Sequence, residues 1–525
     1  MKKFFNIATL VFLFIVLVIP NRQSAITPLS FVNLPLELIL VGLIFLIKGV
    51  PAIFIRGSAT LLLVVGLILK ITDLCTYQIF GRPFNPVLEA NLIADGVNLL
   101  NGTIGHIGAL IVLVLIATLI AGIVLFSYVV LGIFQHTLQH ATKKYGLGLI
   151  GALGIWLIMD FYHTPFASNS FYQLIEMHVS ETIESINELK DFKNNLEQDA
   201  DANVSRDTLF SKLKGKDVLV IFVESYVRTA IENPTFSPYV RAILDKSSAN
   251  LTEKGFFSRS AYLTSPTYGG ISWLAHGTLL SGLWINSQLR YDQLVMSKHA
   301  SLNRLFKQAG WRTVTLQPAH TMAWPQGEYF GYDKIYAAND LGYQGKPFNW
   351  ITMPDQYTLS AFQKREHQPA ASRKPVMAEI VLISSHAPWV PIPHLVDWNQ
   401  VGDGNIFNSQ VEESELPEVV WQDTGRIREQ YRTSIEYAIS TVVSYILHYG
   451  DDNLVVLVLG DHQPAPFVTQ ESQSHDVLVH LISRDESVIA SIKDWHWSKG
   501  MLPADNAPVW KMDVMRGRLI SAFSH

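Results

Sequence analysis

Two strongly apolar segments of the chain each run directly into residues that can bind a metal ion. The segment Asn453–Leu459 (NLVVLVL) leads through one glycine into Asp461 and His462. The segment Val218–Val223 (VLVIFV) ends at Glu224. Apolar runs of this kind are typical of strands that are buried on both faces, and α/β folds place ligand sites at the carboxyl ends of such strands. The pattern therefore predicts a metalloenzyme site at the edge of a sheet.

An isolated Asp-His pair is more often part of a surface turn than a pair of metal ligands. Here Glu224 ends a second buried strand, and His386 lies in the segment SSHAPW that follows a third. A charged side chain at the tip of a core strand needs a partner, which favours ligands over a turn. A further polar segment, Thr264–Leu283 (TSPTYGGISWLAHGTLLSGL), lies between predicted strands and opens a helix.

The elements that position these residues begin at about Lys216. Strands such as VLVIFV, TVTL, AEIVLIS and NLVVLVL alternate with helical stretches such as SLNRLFKQAG and EYAISTVVSYILHYG. This alternation predicts an α/β domain over residues 216–525 with a central, mostly parallel sheet. The polar, helix-prone stretch Ile175–Asp201 predicts a stalk helix within a linker of residues 166–215.

Residues 1–165 are predicted to form a transmembrane domain of about five helices. Five apolar segments are long enough, or nearly so, to cross a hydrocarbon layer of roughly 30 Å. They are Phe4–Pro20, about Phe31–Ile55, Ser58–Phe80, Ile104–Phe134 and Leu147–Phe161.

The basic residues around these segments predict the orientation of the chain. They precede the first segment, separate the second from the third, and separate the fourth from the fifth: Lys2, Lys3, Lys48, Arg56, Lys143 and Lys144. With five spans all of them fall on one side, which the positive-inside rule makes cytoplasmic. The chain after Phe161 is then predicted to lie outside the cytoplasm. A cleaved signal peptide in place of the first span is an alternative.

The composition argues against several classes of function. A net charge of −5 over 525 residues gives no indication of nucleic-acid binding. The single cysteine, Cys75, lies in an apolar stretch, so the chain has neither a disulfide framework nor a cysteine-based zinc site.

The order of the motifs resembles the alkaline phosphatase superfamily in its sulfatase-like branch. The motifs are VIFVESY, a Gly, Ser and Thr loop opening a helix that ends in LLSG, then SSHAPW and LGDHQP. More narrowly, five spans followed by such a domain resemble the membrane-anchored lipoteichoic acid synthases and phosphoethanolamine transferases. The stretch GWRTVTLQPAHTMAWPQGEYFGYDKIY is similar to the synthase pattern of a strand, a His, a Trp and a Phe-Gly-Tyr-Asp-Lys element.

The resemblance implies that a serine or threonine at a helix start is both the nucleophile and a metal ligand. Counting back by the family's spacing from Ser281, near the helix end, reaches Ser272. Gly269 and Gly270 would let the backbone approach a phosphoryl group, and a helix N-terminus stabilises negative charge. A plain helix N-cap is the alternative interpretation of Ser272.

Two other hydroxyls in the same loop, Thr267 and Ser265, are reserve candidates for the nucleophile. The sulfatase signature asks for Pro or Ala two positions after the nucleophile and Arg four positions after it. Those positions are Leu274 and His276. An unmodified serine is therefore expected, and it suits phosphoryl transfer better than sulfate-ester hydrolysis.

By the same resemblance Glu224, Ser272, Asp461 and His462 bind one divalent metal ion. Three oxygens and one nitrogen suit Zn²⁺ or Mn²⁺ and also tolerate Mg²⁺. The ion would lower the pKa of the serine and neutralise phosphoryl oxygens.

The resemblance also implies substrate-binding roles for His386, His320 and Trp324. The synthases carry a phosphate-binding arginine two positions after the tryptophan, and Gln326 stands there in this chain. The loss of that clamp weighs against a glycerophosphate headgroup. His475 is a candidate ligand for a second metal or for substrate, and an ordinary histidine before a strand is the alternative. A capped surface histidine is the alternative for His386.

Together these features predict a phosphotransferase of the bacterial cytoplasmic (inner) membrane, multi-pass, with its catalytic domain on the periplasmic or extracellular side. It would move a phospholipid headgroup, phosphoethanolamine or phosphoglycerol, through a covalent intermediate on Ser272 to an envelope glycan or lipid. A sulfatase-like hydrolase or phosphodiesterase is one alternative. A non-catalytic headgroup-binding sensor is the other, and the complete Glu, Ser, Asp and His set argues against it.

Overall fold

The structure is a computed structural model that describes residues 2–80, 82–140, 142–197, 205–322, 324–367, 373–470 and 472–524. For residues 2–6 and 90–95 it describes the backbone and not the side chains. The chain divides into two compact units, mainly residues 1–190 and mainly residues 191–525. The predicted domain boundaries at 165 and 215 stay predictions.

The first unit is helical. Its helices are α1 (Lys2–Val18), α2 (Leu36–Ile44), α3 (Val50–Phe80), α4 (Ala90–His140) and α5 (Thr142–Phe161), and α6 (Ser170–Leu196) follows them. A two-residue parallel pair joins β1 (Leu34–Pro35) to β2 (Ala167–Ser168). The predicted stalk corresponds to part of α6, and its last residues, 198–201, lie outside the described residues.

Three helices in the described part are long and apolar enough to cross a membrane: Val50–Phe80, Gly96–His140 and Thr142–Phe161. The apolar helix Ile7–Val18 is shorter. The predicted second span, about Phe31–Ile55, is not one helix. It is divided into α2 and the start of α3, and the nine residues of α2 extend only about 14 Å, roughly half of a hydrocarbon layer.

Polar contacts join elements of this first unit. The ammonium group of Lys70 donates to the carbonyl oxygens of Val16 and Leu17 at 2.9 and 2.8 Å. The buried carboxylate of Asp73 accepts from the amide of Asn21 at 2.6 Å and lies 3.1 Å from Nε2 of His178 on α6. Buried charges need such partners, so these contacts fix α1 and α6 against α3.

The second unit is built on a nine-stranded sheet. Its strands are β3 (Asp217–Val223), β4 (Phe257–Thr264), β5 (Arg312–Gln317), β6 (Lys334–Ala337), β7 (Val376–Leu382), β8 (Leu454–Gly460), β9 (Asp476–Ser483), β10 (Ser498–Lys499) and β11 (Val509–Lys511). The order is β10-β4-β9-β8-β3-β7-β5-β6, and β11 pairs with β4. The five neighbouring strands from β8 to β6 are parallel, whereas β9 is antiparallel to both β8 and β4. The sheet is therefore mixed, with a parallel centre as the alternation predicted.

The helices of this unit that the structure describes are α7 (Thr229–Glu232), α8 (Ser237–Glu253), α9 (Ser272–Ser281), α10 (Gln288–Val295), α11 (Leu302–Ala309), α12 (Gly327–Phe330), α13 (Ala338–Leu341), α14 (Asp355–Arg365), α15 (Asn408–Glu412), α16 (Pro417–Val420), α17 (Thr424–Tyr449), α18 (Pro466–Thr469), α19 (Glu486–Ala490) and α20 (Val514–Phe523). Helix α17 contacts α8 and α14, and helix α9 contacts α10, α11 and α20.

The centre of the sheet determines where the site residues lie. Every residue of β3, β7 and β8 is buried, which explains their unbroken apolar sequences. Val223 at the end of β3 pairs with Leu382 of β7 on one side and with Gly460 of β8 on the other. Because these parallel strands end level with one another, the residues that follow them emerge side by side.

The orientation of the chain can be tested with reporter fusions. Because the basic residues flank the cytoplasmic ends of the predicted spans, an alkaline phosphatase fused after Glu197 should be active and one fused after Lys144 inactive. A reporter that fluoresces only in the cytoplasm, fused at the same two points, should give the opposite result. Activity after Lys144 with silence after Glu197 would refute the orientation.

Candidate functional site

The strand ends of β3 and β8 bring three predicted metal ligands together. Glu224 follows β3, and Asp461 and His462 follow β8. One ligand atom from each of the three side chains lies within 4.8 Å of the others, and all three residues are buried. Nε2 of His462 is 3.2 Å from Oε1 of Glu224 and 3.7 Å from Oδ2 of Asp461.

Backbone groups orient two of these side chains. One carboxylate oxygen of Asp461, Oδ1, accepts from the backbone N–H of Ser225 at 2.8 Å and of His462 at 2.7 Å. Nδ1 of His462 is 2.8 Å from the carbonyl oxygen of Gln463, to which it donates. These contacts leave Oδ2 of the aspartate and Nε2 of the histidine directed at the site, which is how outer partners orient metal ligands.

Ser272 is the first residue of α9, and its hydroxyl reaches the same site. Its Oγ is 3.1 Å from Oε2 of Glu224 and 3.0 Å from Nε2 of His462. The loop before it turns through three residues with positive φ: Gly269 (74°), Gly270 (147°) and Ile271 (64°). The sequence predicted the two glycines as permissive positions. It did not reveal Ile271, whose left-handed backbone is strained for a β-branched residue.

The reserve hydroxyls make other contacts. The Ser265 hydroxyl donates to the carbonyl oxygen of Asp461, and the Thr267 hydroxyl donates to that of Gly270 at 2.8 Å. Both bonds hold the loop that carries Ser272. The structure therefore brings Ser272, rather than Thr267 or Ser265, to the predicted ligand atoms.

The electrostatics of the site follow from two buried carboxylates in contact. Burial acts to raise the pKa of Glu224, but the positive charges of His462 and His386 hold this pKa well below its usual range. Burial, and then the charge of Glu224, raise the pKa of Asp461 to about 6. Burial acts against the charge on His462, but the carboxylates of Asp461 and Glu224 raise its pKa to about 9. The site thus favours positive charge between the two carboxylates.

The residues present fit a divalent metal ion. Two carboxylates, an imidazole with its second nitrogen fixed, and a hydroxyl converge in a buried site that favours positive charge. Three oxygens and one nitrogen at such a point suit Zn²⁺ or Mn²⁺ and tolerate Mg²⁺.

The predicted substrate residues are not members of the three-ligand cluster. His386 is exposed in the segment after β7, near enough for its charge to lower the pKa of Glu224. The rings of His320 and Trp324 pack on each other with centroids 5.0 Å apart, and Gln326 precedes α12. His475 precedes β9, and the centroid of its ring lies 5.3 Å from that of Tyr268. It is not a member of the three-ligand cluster.

Three residues that hold the strand ends were not predicted from the sequence as members of the site. The hydroxyl of Ser385 donates to the carbonyl oxygen of Glu224 at 2.6 Å. The carboxylate of Asp355 at the start of α14 accepts from the backbone N–H of Ile383 and Ser384 at 2.8 and 2.9 Å. The hydroxyl of Tyr431 on α17 donates to the carbonyl oxygen of Ser225 at 2.9 Å. Ser385 stands in the SSHAPW motif, where only His386 was predicted to act, whereas Asp355 and Tyr431 stand in no motif, so the folded chain is needed to reveal these contacts.

Comparison with known proteins identifies the family of this domain. Residues 216–496, more than half of the chain, match the sequence model of the sulfatase family. The chain belongs to the sulfatase family. The predicted resemblance to the sulfatase-like branch of the alkaline phosphatase superfamily is thereby confirmed. No curated protein matches the sequence of this sulfatase-family chain.

Several solved structures are similar to this sulfatase-family protein. The lipoteichoic acid synthase LtaP from Listeria monocytogenes is 15% identical over 64% of this chain and 78% of its own, with a TM-score of 0.38. The Streptococcus pyogenes phosphoglycerol transferase GacH, in complex with sn-glycerol-1-phosphate, is 13% identical over 66% and 82%, with a TM-score of 0.39. The periplasmic domain of the phosphoethanolamine transferase EptC from Campylobacter jejuni is 11% identical over 59% and 92%, with a TM-score of 0.37.

The metal site can be tested with Asp461→Asn in the full-length protein. Asparagine keeps an oxygen that accepts from the N–H groups of Ser225 and His462, so the strand end should stay folded. It removes the charge that faces the ion, so metal content and activity should fall together, activity by at least about a hundredfold. Elemental analysis of the purified protein measures the first quantity.

The matched control is Asp333→Asn. Asp333 precedes β6, at the opposite end of the parallel strands, and its carboxylate binds Lys307 and the backbone N–H of Thr313. This variant should keep its metal content. Activity near the wild-type level in Asp461→Asn would show that Asp461 is not a ligand.

Proposed function

We propose that this chain is a membrane-anchored, metal-dependent phosphotransferase. It moves a phospholipid headgroup, phosphoethanolamine or phosphoglycerol, through a covalent intermediate on Ser272 to an envelope glycan or lipid. The observation that carries the proposal is the position of the Ser272 hydroxyl, 3.1 and 3.0 Å from ligand atoms of Glu224 and His462. A hydroxyl among predicted metal ligands at a helix start is placed to act as a nucleophile.

Glu224, Ser272, Asp461 and His462 would hold the ion, Zn²⁺ or Mn²⁺ with Mg²⁺ tolerated. When bound, the ion supplies positive charge beside the serine oxygen and the phosphoryl oxygens. The protein residues contribute the rest. The free N–H groups and the dipole at the start of α9 favour negative charge on Ser272 and on a phosphate ester attached to it.

In the first half-reaction, the Oγ of Ser272 attacks phosphorus and the P–O bond to the lipid alcohol breaks. The serine proton leaves through Glu224, which already accepts a hydrogen bond from this hydroxyl. The departing lipid alkoxide takes up a proton, so a neutral alcohol is released and the phosphodiester stays attached to the serine. His386, exposed and near Glu224, is placed to give that proton.

In the second half-reaction, a hydroxyl of the glycan or lipid acceptor attacks the same phosphorus. The Oγ–P bond breaks, His386 takes the acceptor proton and so regains the one it gave, and Glu224 returns its proton to Oγ of Ser272, which restores the hydroxyl. The exposure of His386 leaves one side of the site accessible to a large acceptor, which a transferase requires.

The membrane-anchored architecture is part of this proposal. We assign residues 1–165 to a multi-pass transmembrane domain of about five helices, 166–215 to a linker, and 216–525 to a catalytic domain outside the cytoplasm. Three candidate spans support anchoring in the bacterial cytoplasmic membrane. Anchoring keeps the site at a high effective concentration of lipid donors and lipid-linked acceptors, which favours transfer from a membrane lipid.

The nucleophile can be tested by trapping the intermediate in the full-length protein. After incubation with metal and candidate phospholipids, intact-mass spectrometry should show the mass of one headgroup, and peptide mapping should place it on Ser272. Ser272→Ala should abolish the adduct and lower transfer at least about a thousandfold. Ser272→Thr should keep part of the activity, since threonine presents the same hydroxyl.

Thr267→Ala and Ser265→Ala are the controls within the same loop. Each removes a hydrogen bond that supports the loop, so each should cost far less than Ser272→Ala and leave the adduct site unchanged. A label on Thr267 or Ser265 with Ser272 unlabelled would overturn the assignment. Turnover without any adduct would favour direct attack by water, which is the hydrolase.

A further inference from the structure

A buried carboxyl group and a histidine, Glu379 and His276, contact each other within the same domain. Glu379 is in the middle of β7, where it pairs with Val220 of β3 and Thr315 of β5, and it is 1% exposed. A carboxylate in the centre of a core strand needs hydrogen bonds and a countercharge. Its Oε2 accepts from the hydroxyl of Tyr332, and its Oε1 lies 3.3 Å from Nδ1 of His276.

His276 lies on the face of α9 that carries the proposed nucleophile. It follows Ser272 by four residues, one helical turn, so the two side chains are neighbours along the helix. Its ring stacks on Phe222, two residues before Glu224 on β3, with centroids 4.0 Å apart. The same face of the sheet therefore supports the metal ligands and this histidine.

The two nitrogens of His276 have different environments. Nδ1 contacts Glu379, whereas Nε2 is buried and has no hydrogen-bond partner among the described residues. The side chain is 10% exposed, and a buried nitrogen of this kind without a hydrogen-bond partner calls for a polar group or a ligand beside it. The carboxylate of Glu379 is a countercharge for the imidazole, and an Nε2–H on this ring would be a donor without an acceptor, which indicates a site for an anion.

The charge of His276 also acts on both sides of the candidate site. Burial lowers the pKa of His320, and the charge of His276 adds to that effect. Burial and Glu224 raise the pKa of Asp461, and the charge of His276 opposes them. His276 is thus close enough to both Asp461 and His320 for its charge to act on each of them.

We propose that His276 is an anion contact of this site, whose Nε2–H donates to a non-bridging oxygen of the phosphate group that Ser272 receives. Glu379 is its positioning residue, since it acts through the imidazole and not on the substrate. The identity of the group rests on the proposed function. The donor set requires only a tetrahedral oxyanion, so inorganic phosphate is a sufficient probe.

The test measures inorganic phosphate binding to the metal-loaded, full-length protein by calorimetry, together with metal content and thermal unfolding. His276→Gln removes the charge of the donor, and its phosphate affinity should fall about ten- to hundredfold, the range for a hydrogen bond to a charged group. Metal content should not change. Glu379→Gln keeps the shape of the side chain but frees the imidazole, so affinity should fall several-fold.

His480→Gln is the matched control. His480 is also a buried histidine of the sheet, fully enclosed between the hydroxyls of Tyr226 and Ser260 at 2.9 and 2.6 Å. Its replacement should lower the unfolding temperature and leave the phosphate affinity of the folded protein unchanged. This separates loss of an anion contact from loss of packing.

Three results would overturn the inference: wild-type protein that does not bind phosphate, folded His276→Gln with wild-type affinity, or His276→Gln that loses the metal. If His276→Gln does not fold, an unchanged affinity of Glu379→Gln for phosphate overturns the inference instead. The proposed function fails separately. Weakened phosphate binding in His276→Gln, with no adduct on wild-type Ser272, would keep the anion contact and reject the covalent transfer.

Discussion

The sulfatase-family domain depends on one electrostatic constraint, the meeting of two buried carboxylates at neighbouring strand ends. Glu224 and Asp461 emerge side by side because β3 and β8 are parallel and end level. Like charges in a buried environment repel strongly, so the pair is stable only with positive charge between them. His462, which follows Asp461 directly, supplies part of this positive charge. We propose that a divalent cation supplies the rest. Hydrogen bonds with backbone groups keep one oxygen of Asp461 and one nitrogen of His462 directed at that position.

The same constraint explains the strained loop before α9. Ser272 reaches the carboxylate and the imidazole only because the chain turns sharply through Gly269, Gly270 and Ile271. Hydrogen bonds from Ser265 to the carbonyl of Asp461 and from Thr267 to that of Gly270 hold this turn against the strand end. A left-handed isoleucine persists where its surroundings fix it, and such strain is common at functional sites. The three parts, strand ends, turn and helix start, form one site.

Much of this arrangement follows from the sequence, because the information is local. Buried parallel strands require unbroken apolar runs, so the residues after them, Glu224, Asp461 and His462, can be identified from the amino-acid sequence alone. The sequence did not reveal that the predicted second span is divided between two helices. Lys48 and Gly49 interrupt the apolar stretch there, but its average hydrophobicity stays high. Contacts between segments that are distant in the sequence could not be predicted either. In the sequence, His276 stands out only because it occupies the position of the arginine in the sulfatase signature. Its contact with Glu379 joins α9 to β7, two elements that are distant in the sequence.

We propose that the two buried carboxylates hold one divalent cation beside Ser272. The most direct measurement is anomalous X-ray diffraction from crystals of the full-length protein, collected on both sides of the zinc and manganese absorption edges. We expect one anomalous peak in each molecule, bounded by Glu224, Ser272, Asp461 and His462. A peak elsewhere, or a well-ordered site in metal-supplemented crystals with no peak, would contradict it.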